Sequence, residues 1–204
     1  MKHLLLLFIA FSLISCAKEE LHGPNQLKNG QVVELLVDHK YGSTEDILLQ
    51  LPNKVAAGAS LMGFEERQPG YSYRIKARFV FTEDPPQDGS AHWFELMDIL
   101  EKDQYTGNDA FHIQLIQSYV PGGPTLLLSK KGNEYFFQSE KIQLTPANET
   151  VKGQLEEIWQ NALAIRDNPT QPPTLKWKSI KANVVHDKQL IGKAYSIQNI
   201  HFEQ

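Results

Sequence analysis

The stretch Tyr71-Ser72-Tyr73-Arg74-Ile75-Lys76-Ala77-Arg78-Phe79-Val80-Phe81-Thr82 decides the fold class. Tyr71, Tyr73, Ile75, Ala77, Phe79 and Phe81 alternate with Ser72, Arg74, Lys76, Arg78 and Thr82, and only Val80 breaks the rule. Side chains on a strand point to opposite faces in turn, so this pattern predicts one long strand, buried on one side and wet on the other. Glu83-Asp84-Pro85-Pro86-Gln87-Asp88-Gly89 follows as a loop.

Shorter signals surround it. Upstream, Val33, Leu35 and Val37 share one face of Gln31–Asp38, and Ile47–Leu51 is a second short strand. Downstream, His92–Glu101 fits a helix through Trp93, Leu96, Met97 and Leu100, and a strand through Phe94, Leu96 and Leu100. After a polar break at Asp103–Asp109, Phe111, Ile113, Leu115 and Tyr119 alternate. Pro121-Gly122-Gly123-Pro124 then turns the chain into Leu126–Leu128, a hairpin signal. A turn at Lys130–Asn133 leads into Tyr135-Phe136-Phe137.

Near Thr145-Pro146 the period becomes helical, through Leu155, Ile158, Trp159, Ala162 and Leu163, with Thr145 as cap and Pro146 at the first position. Three prolines between Asp167 and Pro173 end that helix, and two strands close the chain, around Trp177–Val185 and Lys193–Phe202. The expectation is an α+β fold, predominantly antiparallel β. Two small β-rich units meet near 103–110, and the second holds one amphipathic helix at about 145–166.

The N-terminus carries an address. A basic start, Met1-Lys2-His3, precedes an apolar run from Leu4 to Leu13 that is too short for a permanent membrane helix. Leu13-Ile14-Ser15-Cys16 resembles the lipobox of bacterial lipoproteins, which implies a signal peptide over 1–15 and acylation of Cys16, the chain's only cysteine. No aspartate follows Cys16, and Lys18-Glu19-Glu20 resembles a surface-export signal, so the expected location is the outer membrane, with surface display favoured over a periplasmic orientation. Residues 16–30, with Gly23, Pro24, Asn25, Asn29 and Gly30, read as a lipidated flexible tether.

Three blocks carry a second resemblance: Gly63-Phe64-Glu65-Glu66, Pro69-Gly70-Tyr71-Ser72-Tyr73-Arg74-Ile75-Lys76 and Pro85-Pro86-Gln87-Asp88-Gly89-Ser90. Together they resemble the bacterial domain-of-unknown-function family four-three-seven-seven, often found in envelope lipoproteins, over residues 31–102. The resemblance implies that His92–Glu101 is a strand. It brings no catalytic or ligand-binding residue with it, and the family's frequent cysteine is missing from Ile47–Leu51. Residues 103–204 form a second β-rich unit without a recognised relative.

The chemistry is sparse. Twenty Lys and Arg against 24 Asp and Glu, in 204 residues, leave no cationic excess for nucleic acid. The seven histidines show no H-x-H or H-E-x-x-H spacing, and Asp38-His39 and His186-Asp187 read as isolated pairs, so neither a metal nor another cofactor is expected. Neither a G-x-S-x-G nor a phosphate-loop frame occurs. Arg74, Lys76 and Arg78 share the wet face of one strand, about 7 Å apart, and form a candidate site for an anionic ligand. The competing reading has cross-strand acids such as Glu95 or Asp98 neutralising them. Trp93, Trp159 and Trp177 sit in apolar patterns and read as core. The functional expectation is a non-catalytic binding or adaptor module, held to the membrane by lipid and partnered by an envelope protein or glycan. The alternative is an envelope enzyme acting on glycan or cell-wall substrate.

Overall fold

A computed structural model describes residues 20–119, 123–167 and 175–204. Residues 1–15, read above as a signal peptide, lie outside the described residues, as do Cys16, Lys18, Glu19, Pro121 and Gly122.

The first strands are short: β1 (Leu21–His22), β2 (Leu27–Lys28), β3 (Val32–Val37), β4 (Leu48–Gln50), β5 (Val55–Ala56) and β6 (Leu61–Met62). They precede the two longest, β7 (Tyr71–Phe81) and β8 (His92–Gln104). One six-stranded sheet has the order β5-β4-β3-β7-β8-β6, antiparallel except for the parallel pair β6–β8. Tyr73, Ile75, Ala77 and Phe79 are buried on one face of β7, against Val33, Leu35 and Val37 of β3 and Phe94 of β8. The resemblance's implication of a strand over His92–Glu101 agrees with β8. Its ambiguous pattern has a cause: Leu100 and Met97 are extra residues at two irregularities opposite β7, and each shifts the alternation by one.

The second sheet has the order β12-β13-β14-β16-β15-β9. Its strands are β9 (Phe111–Gln114), β12 (Leu128–Lys131), β13 (Glu134–Phe137), β14 (Ile142–Pro146), β15 (Ser179–His186) and β16 (Ala194–Glu203), and only β14–β16 is parallel. A hairpin of β10 (Ile116–Tyr119) and β11 (Gly123–Leu126) extends from it. The two edges approach each other: the Leu127 N–H donates to the Leu115 carbonyl at 2.8 Å.

The single helix among the described residues, α1 (Glu149–Arg166), packs Val151, Leu155 and Ile158 onto this sheet beside β14 and β16. Each fully buried aliphatic side chain of this kind contributes about 1.5–3 kcal/mol. The fold is therefore α+β, mostly antiparallel, with one helix.

Three expectations need correction. Residues 21–30 are a packed hairpin rather than a flexible tether: Leu27 is buried, His22 stacks on Phe81, and the Asn25 amide donates to Gln50 and to the carbonyls of Ala56 and Ala57. Thr145 and Pro146 finish β14, in register with Ser196 and Ile197, so the helix starts later. Its cap is Asn148, whose Oδ1 accepts from the Val151 N–H at 2.9 Å. Trp93 stands half-buried on the outer face, because it pairs with Val80 and the core position belongs to its neighbour Phe94. Trp177 is core, and Trp159 packs half-buried against it.

Candidate functional site

The basic stripe is the site read from sequence, and β7 does place Arg74, Lys76 and Arg78 together on the face opposite the core. Acids from both neighbouring strands meet it. The Arg74 guanidinium donates to Glu34 of β3 at 2.9 Å and to Glu101 of β8, and Arg78 donates to Glu95 at 3.1 Å. Lys76 lies in register between Glu34 and Asp98. The paired acids hold the Arg74 pKa above its ordinary value, while Arg74 holds the Glu101 carboxyl below its own. The stripe is thus a ladder of alternating charge rather than a bare cationic surface.

The fold also joins two histidines that the sequence keeps 147 positions apart. His39 opens the loop after β3, and His186 ends β15. His39 Nδ1 and His186 Nε2 are 2.8 Å apart, where the two sheets meet. Tyr105 stacks on His39 at 3.7 Å between ring centroids, and Phe111 and Tyr195 lie against His186.

The hydrogen-bond network selects one tautomer pair. His39 Nε2 faces the Asp38 carboxylate at 3.5 Å, which favours a proton there and leaves Nδ1 as acceptor for the His186 Nε2–H. His186 Nδ1 then carries only a lone pair, and it is buried without a partner. Protonating that nitrogen would bury an N–H with no acceptor. Burial and the neighbouring His39 accordingly push the His186 pKa down to about 4, and burial lowers that of His39 despite Asp38. Both rings are neutral at pH 7, and they act as a hydrogen-bonded joint between the sheets.

The loop carrying His39 fastens the joint. Thr44 N–H donates to the His112 carbonyl, His112 N–H donates to the Glu45 carboxylate, and the Tyr195 hydroxyl donates to the Tyr41 carbonyl at 2.7 Å. Arg67 grips Asp46 through two nitrogens, donates to the Asp38 carbonyl at 2.7 Å and stacks over Tyr41. Gly70 closes the far side at φ +80°, where a Cβ would sit 2.7 Å from Ile191 Cδ1 and 3.2 Å from His186 Nδ1.

Beside this loop opens a cleft of about 530 Å³. It is lined by the polar residues Ser43, Thr44, Gln114, Gln117, Gln138, Lys178 and Ser179 and by the apolar Ile116, Leu127 and Phe137. Gln138, Ser139 and Glu140 form a turn with three successive positive φ values of 52°, 56° and 69°, a conformation that costs L-residues roughly 1–2 kcal/mol each. The arrangement presents amide and hydroxyl groups beside apolar side chains, which suits a neutral, hydroxyl- or amide-bearing ligand. Nothing in the sequence pointed here, since its residues come from five separate segments. Among the described residues, no group of three or more His, Cys, Asp or Glu is placed to hold a metal ion. No family model, no curated protein and no solved structure matches this chain.

Proposed function

We propose that this chain is an outer-membrane lipoprotein, anchored through acylated Cys16, whose folded part is a non-catalytic binding or adaptor module. The observation that carries the proposal is the single cysteine standing at the end of Leu13-Ile14-Ser15-Cys16, the one position where the lipobox needs it. The resemblance of residues 31–102 to an envelope-lipoprotein family supports the same reading. The binding half draws on the cleft, whose amides and hydroxyls suit a glycan or an extended peptide. The two histidines, by contrast, are engaged with each other and with ring stacking at the joint.

Metabolic labelling with a fatty-acid probe tests the anchor: native protein carries the label and floats with outer membrane, and Cys16→Ser loses both. Continued membrane association of that variant overturns the lipoprotein reading. A glycan and peptide array comparing native protein with the Gln114→Ala/Gln117→Ala double variant tests the cleft, and identical profiles remove it as the binding surface.

A further inference from the structure

The packed hairpin over residues 21–30 leaves only a short connection between the proposed anchor and the fold. Leu21 begins β1, only five residues after Cys16, and five extended residues span at most about 17 Å. β1 pairs with β2, and the Gln31 N–H donates to the Lys28 carbonyl immediately before Val32. The chain therefore leaves the fold at the Val32 end of β3.

At this end the outer face of the first sheet carries apolar side chains around one ion pair, next to the charged ladder of Arg74 and Lys76. In register across four strands lie Val32, Arg78, Glu95 and Met62, a row of about 14 Å at ordinary strand spacing. Val32 is 49% exposed and Met62 is 53% exposed. Trp93 follows two residues along β8 on the same face, paired with Val80, and its indole N–H donates to Glu95 at 3.4 Å. The extra residue Met97 adds a further side chain, 51% exposed, on the other side of Glu95. The charged pair in the middle, Arg78 and Glu95, is mutually neutralised.

Exposed methionine, valine and half-buried tryptophan around a neutral ion pair match the polarity of a bilayer interface, where tryptophan is enriched and arginine stems lie along apolar surface. The nearby loop from Glu83 to Gly89 carries Glu83, Asp84 and Asp88, which favours a weakly charged lipid surface over a strongly anionic one. We infer that the outer face of the first sheet around Val32, Met62, Trp93 and Met97 is the surface that this chain lays against the bilayer holding its N-terminal lipid. The inference rests on the anchoring reading, because the short connection has meaning only if Cys16 is in the membrane.

The test uses the full lipidated protein, reconstituted in phosphatidylethanolamine–phosphatidylcholine vesicles that contain nitroxide-labelled lipid. Acylation occupies Cys16, so a fluorophore can be placed through Met97→Cys on the proposed face, or through Lys131→Cys on β12 of the other sheet. Both positions are exposed. The Met97→Cys label should lose more than about half its emission, because interfacial groups sit within the outer 5–10 Å of the bilayer, and the Lys131→Cys label should keep its own. If the protein floats with vesicles yet both labels are quenched alike, or neither is, the docking face is wrong and the anchor stands. If the protein does not float, the anchor fails and the docking face falls with it.

Discussion

Acidification to between pH 6.5 and 4 should weaken the protein chiefly through one nitrogen, His186 Nδ1, with His39 adding in the same direction. In the folded chain this atom is buried without a partner and its ring titrates at about 4, whereas an unfolded histidine titrates near 6.5. Between those values the unfolded state binds more protons, so the free energy of unfolding rises with pH. The contribution is fully present above pH 6.5 and is lost progressively as pH falls toward 4. A gap of about 2.5 pH units, at about 1.4 kcal/mol each, sets a ceiling of about 3.4 kcal/mol. Local relaxation around a protonated ring lowers the expected loss to about 2 kcal/mol, a large share of a typical net stability of about 5–15 kcal/mol. The charged groups around the pair act in both directions: Lys40 opposes a proton, and Asp38, Asp46 and Asp109 favour one on His39. Urea unfolding at a series of pH values, on native protein and on His186→Phe, isolates the term, because carboxylates elsewhere titrate equally in both. Native protein should lose about 2 kcal/mol more than the variant between pH 7 and 4.5. Equal slopes for the two proteins would refute the role given to this nitrogen.

Replacing Arg74, Lys76 and Arg78 together by Gln should leave a glycan and phospholipid array profile unchanged at low and moderate salt, since Glu34, Glu95 and Glu101 already occupy the two guanidinium groups. A lost signal would restore the stripe as a site. Asn148→Ala should lower stability by about 1 kcal/mol in urea unfolding by removing the cap on the Val151 N–H, whereas Thr145→Ser, outside the helix, should leave helix content measured by circular dichroism unchanged. Gly70→Ala should cost more than about 1 kcal/mol, because φ +80° and the Ile191 contact both oppose a Cβ; a neutral result by thermal unfolding would mean that the junction is looser than drawn.

Local pattern carried the strands whose stabilising neighbours are regular. β7 is legible because alternation over eleven residues has one explanation, and α1 because Leu155 and Ile158 keep helical spacing. The 21–30 hairpin was hidden for a physical reason. Its glycines, proline and asparagines suit a spacer and a tight turn equally, and what decides between them is Asn25 reaching residues 25 to 32 positions away. At Thr145-Pro146 a local cap signal competed with parallel pairing to β16, and the pairing won. Of the acids around the stripe, Glu95 was readable from strand order, while Glu34 and Glu101 required the register itself. The histidine joint has no local signature: Asp38-His39 and His186-Asp187 are ordinary dipeptides until the sheets meet.

If the proposed anchor confines this chain to a surface, the way its sheets end matters. Anchoring concentrates molecules in two dimensions and aligns them, which favours strand addition between neighbours wherever a sheet offers a long unpaired backbone edge. The first sheet finishes in two-residue strands, β5 and β6, but β6 covers only Phe94 and Glu95 of β8, so Leu96–Gln104 pairs with β7 alone along an edge kinked at Met97 and Leu100. In the second sheet, β9 turns its free side toward the first sheet's loop, and both backbone groups of His112 are occupied, the carbonyl by Thr44 and the N–H by Glu45. The Leu127–Leu115 bond draws the remaining margin inward. On the proposed anchor, copies crowded side by side on one membrane would meet at the Leu96–Gln104 edge of β8, whose two irregularities and charged Asp98, Glu101, Lys102 and Asp103 oppose strand addition.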